Sequence, residues 1–192
     1  MRPHIIPLVA LVTLSACQMP FGTTAPRPAP SAGGAPVSGG GRGQARIVLS
    51  SATVRPGQTA TVTATLQSGG ASIAGTQNDI GFDPRAVAIA RKANGKPDCR
   101  ANGALGKEGT AFNFLPPQCA PGSCTSVRAL VLSLSNVAAI PNGSVLYTCT
   151  VQAAPGAAPG PQTLRLSRVG FSDPAGKAID GGGTDGAITI GK

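Results

Sequence analysis

Four cysteines in the second half of the chain, Cys99, Cys119, Cys124 and Cys149, could form disulfides or bind zinc. An even number of cysteines in an exported domain predicts two disulfides. Cys119 and Cys124 flank a Pro-Gly turn, which favours Cys119–Cys124 with Cys99–Cys149. The alternative pairing is Cys99–Cys119 with Cys124–Cys149. A zinc site is disfavoured because the paired Cys-x-x-Cys spacing is missing.

The fifth cysteine, Cys17, follows an apolar run from Ile5 to Leu14, with Arg2 before it. A positive residue, a short apolar segment and small residues at its end are typical of a secretory signal peptide. The run is well short of the ~20 apolar residues that a membrane-spanning helix needs. We therefore predict an exported protein with a signal peptide over residues 1–16.

The sequence Leu14-Ser15-Ala16-Cys17 resembles the lipobox of bacterial lipoproteins. The resemblance implies cleavage before Cys17 and attachment of lipid to its sulfur, which makes Cys17 the lipidation site and the lipid the membrane anchor. Gln18 follows the cysteine, and a residue other than Asp there usually accompanies sorting to the outer membrane. The expected location is the outer membrane or cell surface.

The residue types that common catalytic sites need are scarce. The single histidine, His4, lies in the predicted signal peptide, and Glu108 is the only glutamate. These facts exclude a Ser-His-Asp triad and a His-ligated zinc site from the mature protein. The run from Asp180 to Asp185 offers oxygen ligands but lacks the spacing of a calcium loop, so a solvated glycine turn is the favoured interpretation. We predict no enzyme activity, no cofactor and no metal site.

Residues 17–44 are rich in Pro, Gly, Ala, Ser and Thr and predict a disordered tether after the lipidated cysteine. The folded domain is predicted over residues 45–192. The whole chain has a formal net charge of +9, with its densest basic cluster at Arg91, Lys92, Lys96, Arg100 and Lys107. Since no aromatic stacking platform accompanies these charges, we expect no nucleic-acid partner.

Short segments with alternating apolar residues and frequent turns predict an all-β domain. In Thr59 to Leu66, for example, small and aliphatic residues alternate with threonines. A long polar loop is predicted from Asn94 to Gly109, and Leu130, Leu132 and Leu134 share one face of another strand. The predicted strands are 46–50, 59–66, 73–82, 87–89, 110–115, 127–134, 145–151, 162–166 and 187–190.

Three motifs together resemble cohesin domains. Val54-Arg-Pro-Gly-Gln-Thr-Ala-Thr-Val is similar to the second strand of that family, and Ile80-Gly-Phe82-Asp83-Pro84 is similar to its Tyr/Phe-Asp-Pro turn. The third motif runs from Pro141-Asn-Gly143 through Tyr147 and ends in Gly186-Ala-Ile-Thr-Ile. The resemblance implies an antiparallel, nine-stranded jelly-roll β-sandwich. From the residue types themselves, Asp83 is expected to cap the turn that Pro84 initiates, which makes Phe82, Asp83 and Pro84 structural residues. Phe82 and Tyr147 are expected to be core aromatics, with the Tyr147 hydroxyl at an edge.

Cohesins bind dockerin modules through one face of the sandwich. Carried over by motif position, the resemblance implies six partner-binding residues, Gly75, Gln77 and Asp79 on one strand and Ser133, Ser135 and Asn136 on a hairpin strand. The main hypothesis is a lipid-anchored surface module for protein–protein recognition, with a dockerin-like or other protein partner. The alternative is a module that binds carbohydrate or polysaccharide, for which only Phe112, Phe114 and Phe171 are candidate stacking residues.

Overall fold

The computed structural model describes residues 43–192. The predicted signal peptide, Cys17 and most of the tether lie outside these residues. The strands are β1 (Ala45–Leu49), β2 (Ala52–Val54), β3 (Thr59–Gln67), β4 (Gly75–Gly81), β5 (Val87–Ile89), β6 (Cys99–Ala101), β7 (Ala111–Leu115), β8 (Ser126–Val131), β9 (Val145–Ala153), β10 (Gly160–Ser172), β11 (Ala178–Ile179), β12 (Gly181–Thr184) and β13 (Gly186–Ile190).

The strands form two sheets. The smaller sheet has the order β12-β1-β3-β9-β5, with β6 also paired to β9. The larger sheet has the order β2-β13-β10-β4-β8-β7, with β11 also paired to β10. The pairs β1–β12 and β2–β13 are parallel, and the other pairs are antiparallel. The predicted all-β sandwich is confirmed, although the described residues form 13 strands and not the nine expected.

The core lies between the sheets and follows the alternation of the sequence. In β3, Val62, Ala64 and Leu66 are buried, while the threonines face outward. Phe82 and Tyr147 are also buried in this core. Period-2 patterning therefore positioned β3 correctly, because one side of the strand packs inward and the other faces outward.

Tyr147 lies deeper than predicted. Its hydroxyl was expected at an edge of the core, but it donates a 2.9 Å hydrogen bond to Oδ1 of the fully buried Asn78. Burial raises the pKa of the Tyr147 phenol. The ring of Phe112 packs edge-on at 5.3 Å from the Tyr147 ring centroid. A polar link between β4 and β9 thus joins the two sheets inside the core.

The strand predicted over residues 162–166 is much longer, since β10 covers Gly160–Ser172. Its register with β4 shifts between Ser167 and Gly170, and Arg168 there has a φ of 50°. Such a bulge inserts an extra residue and interrupts the alternation of side chains. The prediction was wrong because the sequence pattern breaks at the bulge while the strand continues.

Two segments predicted as irregular contain secondary structure. The predicted loop from Asn94 to Gly109 includes β6 and a 3-10 helix, Gly103–Leu105. The predicted glycine turn between Asp180 and Asp185 is β12, which runs parallel to β1. Both strands pair with a longer neighbour, and that tertiary pairing outweighs their weak local propensity.

The structure contains the disulfides Cys99–Cys149 and Cys119–Cys124, which is the favoured of the two predicted pairings. Cys99 and Cys149 lie directly opposite each other on β6 and β9. Cys119 and Cys124 close the connection between β7 and β8. The first bridge attaches β6, in the segment predicted as a loop, to β9 of the smaller sheet. The second bridge constrains the hairpin of β7 and β8 in the larger sheet.

Candidate functional site: the outer face of the larger sheet

The outer face consists of the outward side chains of β10, β4, β8 and β7. On β8, Val127, Ala129 and Val131 are buried in the core, so Arg128 and Leu130 point away from it. Across the strand pairs, Leu130 lies opposite Gln77, and Arg128 lies opposite Asp79. This register brings the predicted residues of β4 onto one surface with side chains of β8.

Asp79 is engaged in an ion pair at the centre of the outer face. Its carboxylate accepts hydrogen bonds from Nε and Nη2 of Arg128 at 2.7 and 2.8 Å, and Nε of Arg168 lies 3.7 Å away. The Asp79 side chain is 6% exposed. The hydrogen bond to Asp79 raises the pKa of Arg128. The face presents guanidinium groups here, and Asp79 holds Arg128 in place. The role of Asp79 in partner binding stays a prediction.

Gly75 and Gln77 border a shallow depression of about 250 Å³. Leu130 and Leu132 form its apolar side, and Gly170 and neighbouring residues of β10 form the other. A Cβ at Gly75 would approach Oγ of Ser172 to 2.8 Å, so the glycine keeps this end of the surface flat. Gly75 and Gln77 both lie on β4, within the strand predicted over residues 73–82.

Ser133, Ser135 and Asn136 were predicted on a strand, but β8 ends at Val131. They lie in the 132–138 loop, where their polar groups bond within the protein. Ser133 Oγ donates to Oε1 of Glu108 at 2.6 Å and accepts the backbone N–H groups of Ser135 and Asn136. Ser135 Oγ also donates to Glu108. The strand ends because these side chains offer the backbone alternative partners.

The 132–138 loop is further held by Lys107. Its Nζ donates to the carbonyl oxygens of Asn136 and Ala138 at 2.7 and 2.8 Å, and burial lowers its pKa. Hydrogen bonds from Ser133 and Ser135 lower the pKa of Glu108 to about 2. Asn136 Nδ2 donates to the Gly106 carbonyl at 3.2 Å. The sequence placed Lys107 only in the densest basic cluster and indicated no role for Glu108.

This framework presents two apolar side chains to solvent. Leu134 is 92% exposed and Val137 is 51% exposed, and they are the large hydrophobic residues that the described part exposes. Both line a depression of about 200 Å³, with Leu132, Asp173 and Pro174 among its other residues. An apolar cluster with a polar rim is typical of an interaction surface. The sequence predicted that Leu130, Leu132 and Leu134 share one face. It did not predict that this face points away from the core.

The predicted turn residues have structural roles. Phe82 is buried, and the Asp83 carboxylate accepts the Arg85 backbone N–H at 3.0 Å. The Arg85 guanidinium also binds this carboxylate and lowers the Asp83 pKa. Asp83 therefore stabilises the turn that Pro84 continues, and the turn connects β4 to β5.

The three candidate stacking residues for sugars have other contacts. Phe171 is buried, Phe112 packs against Tyr147, and Phe114 is covered by the Arg91 guanidinium at 4.3 Å from its ring centroid. Phe112 and Phe114 are half-buried, so none of the three is a fully exposed ring of the kind that usually stacks on sugars.

Within residues 43–192, no group of three or more His, Cys, Asp or Glu side chains is arranged to bind a metal ion. Over the same residues, the helical structure is too short or too polar to traverse a bilayer.

The sequence matches no family model, and no curated protein matches it. Solved structures do match. One is the sixth cohesin of scaffoldin B from Acetivibrio cellulolyticus, in complex with a mutant Cel5 dockerin, with a TM-score of 0.61 at 16% identity. The match covers 78% of this chain and 100% of the cohesin chain. The seventh ScaB type I cohesin from Pseudobacteroides cellulosolvens has a TM-score of 0.60 at 19% identity, covering 77% and 92%.

A non-cellulosomal cohesin from the archaeon Archaeoglobus fulgidus is also similar, with a TM-score of 0.57 at 11% identity over 78% of this chain and 93% of that one. These similarities extend over nearly the whole length of each cohesin. The cohesin-type jelly-roll fold predicted from the sequence motifs is therefore confirmed for the described part of the chain.

Proposed function

We propose that this protein is an exported lipoprotein that displays a non-catalytic cohesin-like module, and that the module binds a dockerin-like protein partner through the outer face. The observation that carries the proposal is the exposed pair Leu134 and Val137, on a loop that hydrogen bonds hold at one end of that face. Hydrogen bonds already hold the loop that carries these apolar side chains, so less backbone entropy is lost when a partner covers them. Exposed apolar side chains grouped in this way are typical of an interaction surface.

The fold supports the choice of partner. Several similar cohesins, including the sixth cohesin of scaffoldin B, are described in complex with dockerins. A carbohydrate partner bound by ring stacking is disfavoured, because Phe112, Phe114 and Phe171 are each covered or buried. An enzymatic role is disfavoured by the absence of histidine after His4.

The anchoring part of the proposal rests on Leu14-Ser15-Ala16-Cys17 and on the tether of residues 17–44. A flexible segment of about 27 residues has a mean reach on the order of 30 Å. Such a tether would hold the module near the outer membrane while allowing it to reorient toward a partner.

The recognition hypothesis is tested with the purified full chain as bait for proteins extracted from the surface of the source cells. We compare the wild type with Leu134→Asp and Gln77→Lys on the outer face. Thr61→Asp is the control, since Thr61 is exposed on the smaller sheet. We expect one or a few proteins to be retained by the wild type and the control, with at least a tenfold loss for Leu134→Asp.

Equal retention by all four proteins would contradict the proposed face. Saturable binding on a glycan array with no protein retained would make the carbohydrate hypothesis the better one. Thermal unfolding of each variant shows whether a loss of binding reflects a loss of folding, and Leu134→Asp is expected to unfold like the wild type because Leu134 is almost fully exposed.

The anchor is tested by labelling cells with radioactive palmitate and separating their membranes. We expect label in the wild-type protein in the outer-membrane fraction, and a Cys17→Ser variant without label. Labelled Cys17→Ser, or an unlabelled wild type, would show that Cys17 is not a lipidation site.

A further inference from the structure

A recess of about 440 Å³ lies at the free edge of β7, away from the outer-face depressions. It is larger than the two depressions described above and falls in the range of small-molecule sites, roughly 300–1,000 Å³. One wall is the turn over residues 91–97, and the other is the segment 117–119 next to the Cys119–Cys124 bridge. Phe114 and Leu115 of β7 form its base.

The charged side chains that line the recess are Arg91 and Lys96, and both are positive. Neither forms an ion pair with another described residue. Their charge is therefore not balanced by a carboxylate within the recess, which favours an anionic ligand.

Neutral acceptors hold both cations in place. Arg91 lies over the Phe114 ring, and its Nη1 and Nη2 donate to the carbonyl oxygens of Gly95 and Cys119 at 2.7 and 3.3 Å. Lys96 Nζ donates to Oδ1 of Asn113 at 2.9 Å. Each cation retains further N–H groups for a ligand, since a guanidinium has five donors and an ammonium has three. The positions are set before a ligand binds.

Three amide side chains complete the lining, those of Asn94, Asn113 and Gln118. The backbone N–H of Lys96 donates to Oδ1 of Asn94, and Nζ of Lys96 donates to Oδ1 of Asn113. These hydrogen bonds fix the orientation of both amide groups, including their Nδ2 donors. Gln118 has a φ of 60° and an exposed side chain at the rim. Amides both donate and accept, and so they match the hydroxyl groups of a sugar.

We propose that this recess binds an anionic sugar unit, with its carboxylate or phosphate at Arg91 and Lys96 and its hydroxyl groups at the amides. The binding does not use ring stacking, because Arg91 already covers Phe114. Asn113 of β7 also belongs to the outer face, but the recess shares no lining residue with the two depressions there, so the two ligands could be bound together.

The test is isothermal titration calorimetry of the full chain at low salt with three probes. A galacturonate trimer supplies carboxylates, a glucose phosphate supplies phosphate, and maltotriose is the neutral comparison. We expect at least one anionic probe to bind, with maltotriose binding at least tenfold more weakly. Whichever anionic probe binds more tightly identifies the source of the charge.

The site is located with Lys96→Glu and Lys96→Gln, and with Lys177→Glu as the matched control, since Lys177 is exposed and does not line the recess. We expect Lys96→Glu to lose at least tenfold in affinity, Lys96→Gln to lose less, and Lys177→Glu to bind like the wild type. Equal losses in both Glu variants would mean attraction by the net charge alone and would overturn the proposal. Absence of binding by either anionic probe at millimolar concentration, or equal binding of maltotriose, would also overturn it.

Discussion

Two neighbouring residues, Lys107 and Glu108, determine how the 132–138 loop is presented. Lys107 donates to two carbonyl oxygens of the loop, and Glu108 accepts two hydroxyl groups from it. Each charged side chain thus binds neutral groups of the loop instead of an opposite charge. The exposure of Leu134 depends on this arrangement, because the loop backbone has fixed partners on both sides.

The loop should therefore respond to acid through Glu108. Its pKa in the folded protein is about 2, below the ordinary value of 4.5. A depressed pKa contributes stability above pH 4.5, and this contribution is lost as the pH falls from 4.5 toward 2. We expect the free energy of unfolding of the wild type to exceed that of Glu108→Gln near neutral pH and to converge with it at acidic pH.

Urea unfolding at several pH values measures this difference, and an NMR titration of the Glu108 carboxyl group measures the pKa directly. The effect should be modest, since the carboxylate is near the surface and solvent screens it. A difference between the two proteins that stays constant from neutral to strongly acidic pH would show that ionised Glu108 does not stabilise the loop.

At the scale of single elements, β12 illustrates why glycines can form a strand. A Cβ at Gly181 would collide with the Phe171 ring and the Ala45 carbonyl, and a Cβ at Gly183 would crowd Leu166. A Cβ at Gly182 would meet nothing within 4 Å. One side of the strand is packed closely against its neighbours, and the other side is open. The two sides alternate along the strand, but glycine has no side chain, so the sequence does not show this alternation.

This alternation predicts opposite effects for neighbouring alanine substitutions. Gly181→Ala should lower the free energy of unfolding by about 1–3 kcal/mol, because the added methyl group overpacks the core. Gly182→Ala should be neutral or stabilising by up to about 1 kcal/mol, because it restricts the unfolded chain without a clash. Chemical unfolding of both variants gives the comparison, and equal destabilisation by both would show that close packing does not explain these glycines.

The sequence was informative where a strand is long enough to display alternation, or where apolar residues stand beside a recognised motif, as after Asp83-Pro84. The alternation in β3 and the short apolar strand Val87–Ile89 were both recognised from side-chain types. The strands β2, β6, β11 and β12 have two to four residues, too few to establish a period, and exist because a longer strand pairs with them.

In the candidate site, too, some features were predictable from one strand alone and others depend on the pairing of two strands. The positions of Gly75 and Gln77 on β4 came from the motif that ends in Asp83-Pro84. The cover of Arg128 over Asp79, and the outward direction of Leu130, depend on the register between β4 and β8. Register is a property of two strands together, and a one-residue shift would reverse every side chain.

At the scale of the whole molecule, the Cys99–Cys149 bridge encloses parts of both sheets. The chain leaves the smaller sheet at β6, forms β7 and β8 in the larger sheet, and returns to the smaller sheet at β9. The bridge connects residues 50 positions apart, whereas Cys119–Cys124 connects residues 5 positions apart. The two disulfides therefore restrict the unfolded chain to very different extents.

Removal of the long-range bridge should destabilise the protein more than removal of the short one. In the chain-entropy model the costs are about 4 kcal/mol for the larger loop and about 2 kcal/mol for the smaller. The test compares the wild type with two double variants by urea unfolding under oxidising conditions. One variant combines Cys99→Ala with Cys149→Ala, and the other combines Cys119→Ala with Cys124→Ala. The second pair should also loosen the recess at β7, because Cys119 lies in its wall. If the two losses were equal, local packing around the sulfur atoms, and not closure of a path through both sheets, would account for the stabilisation.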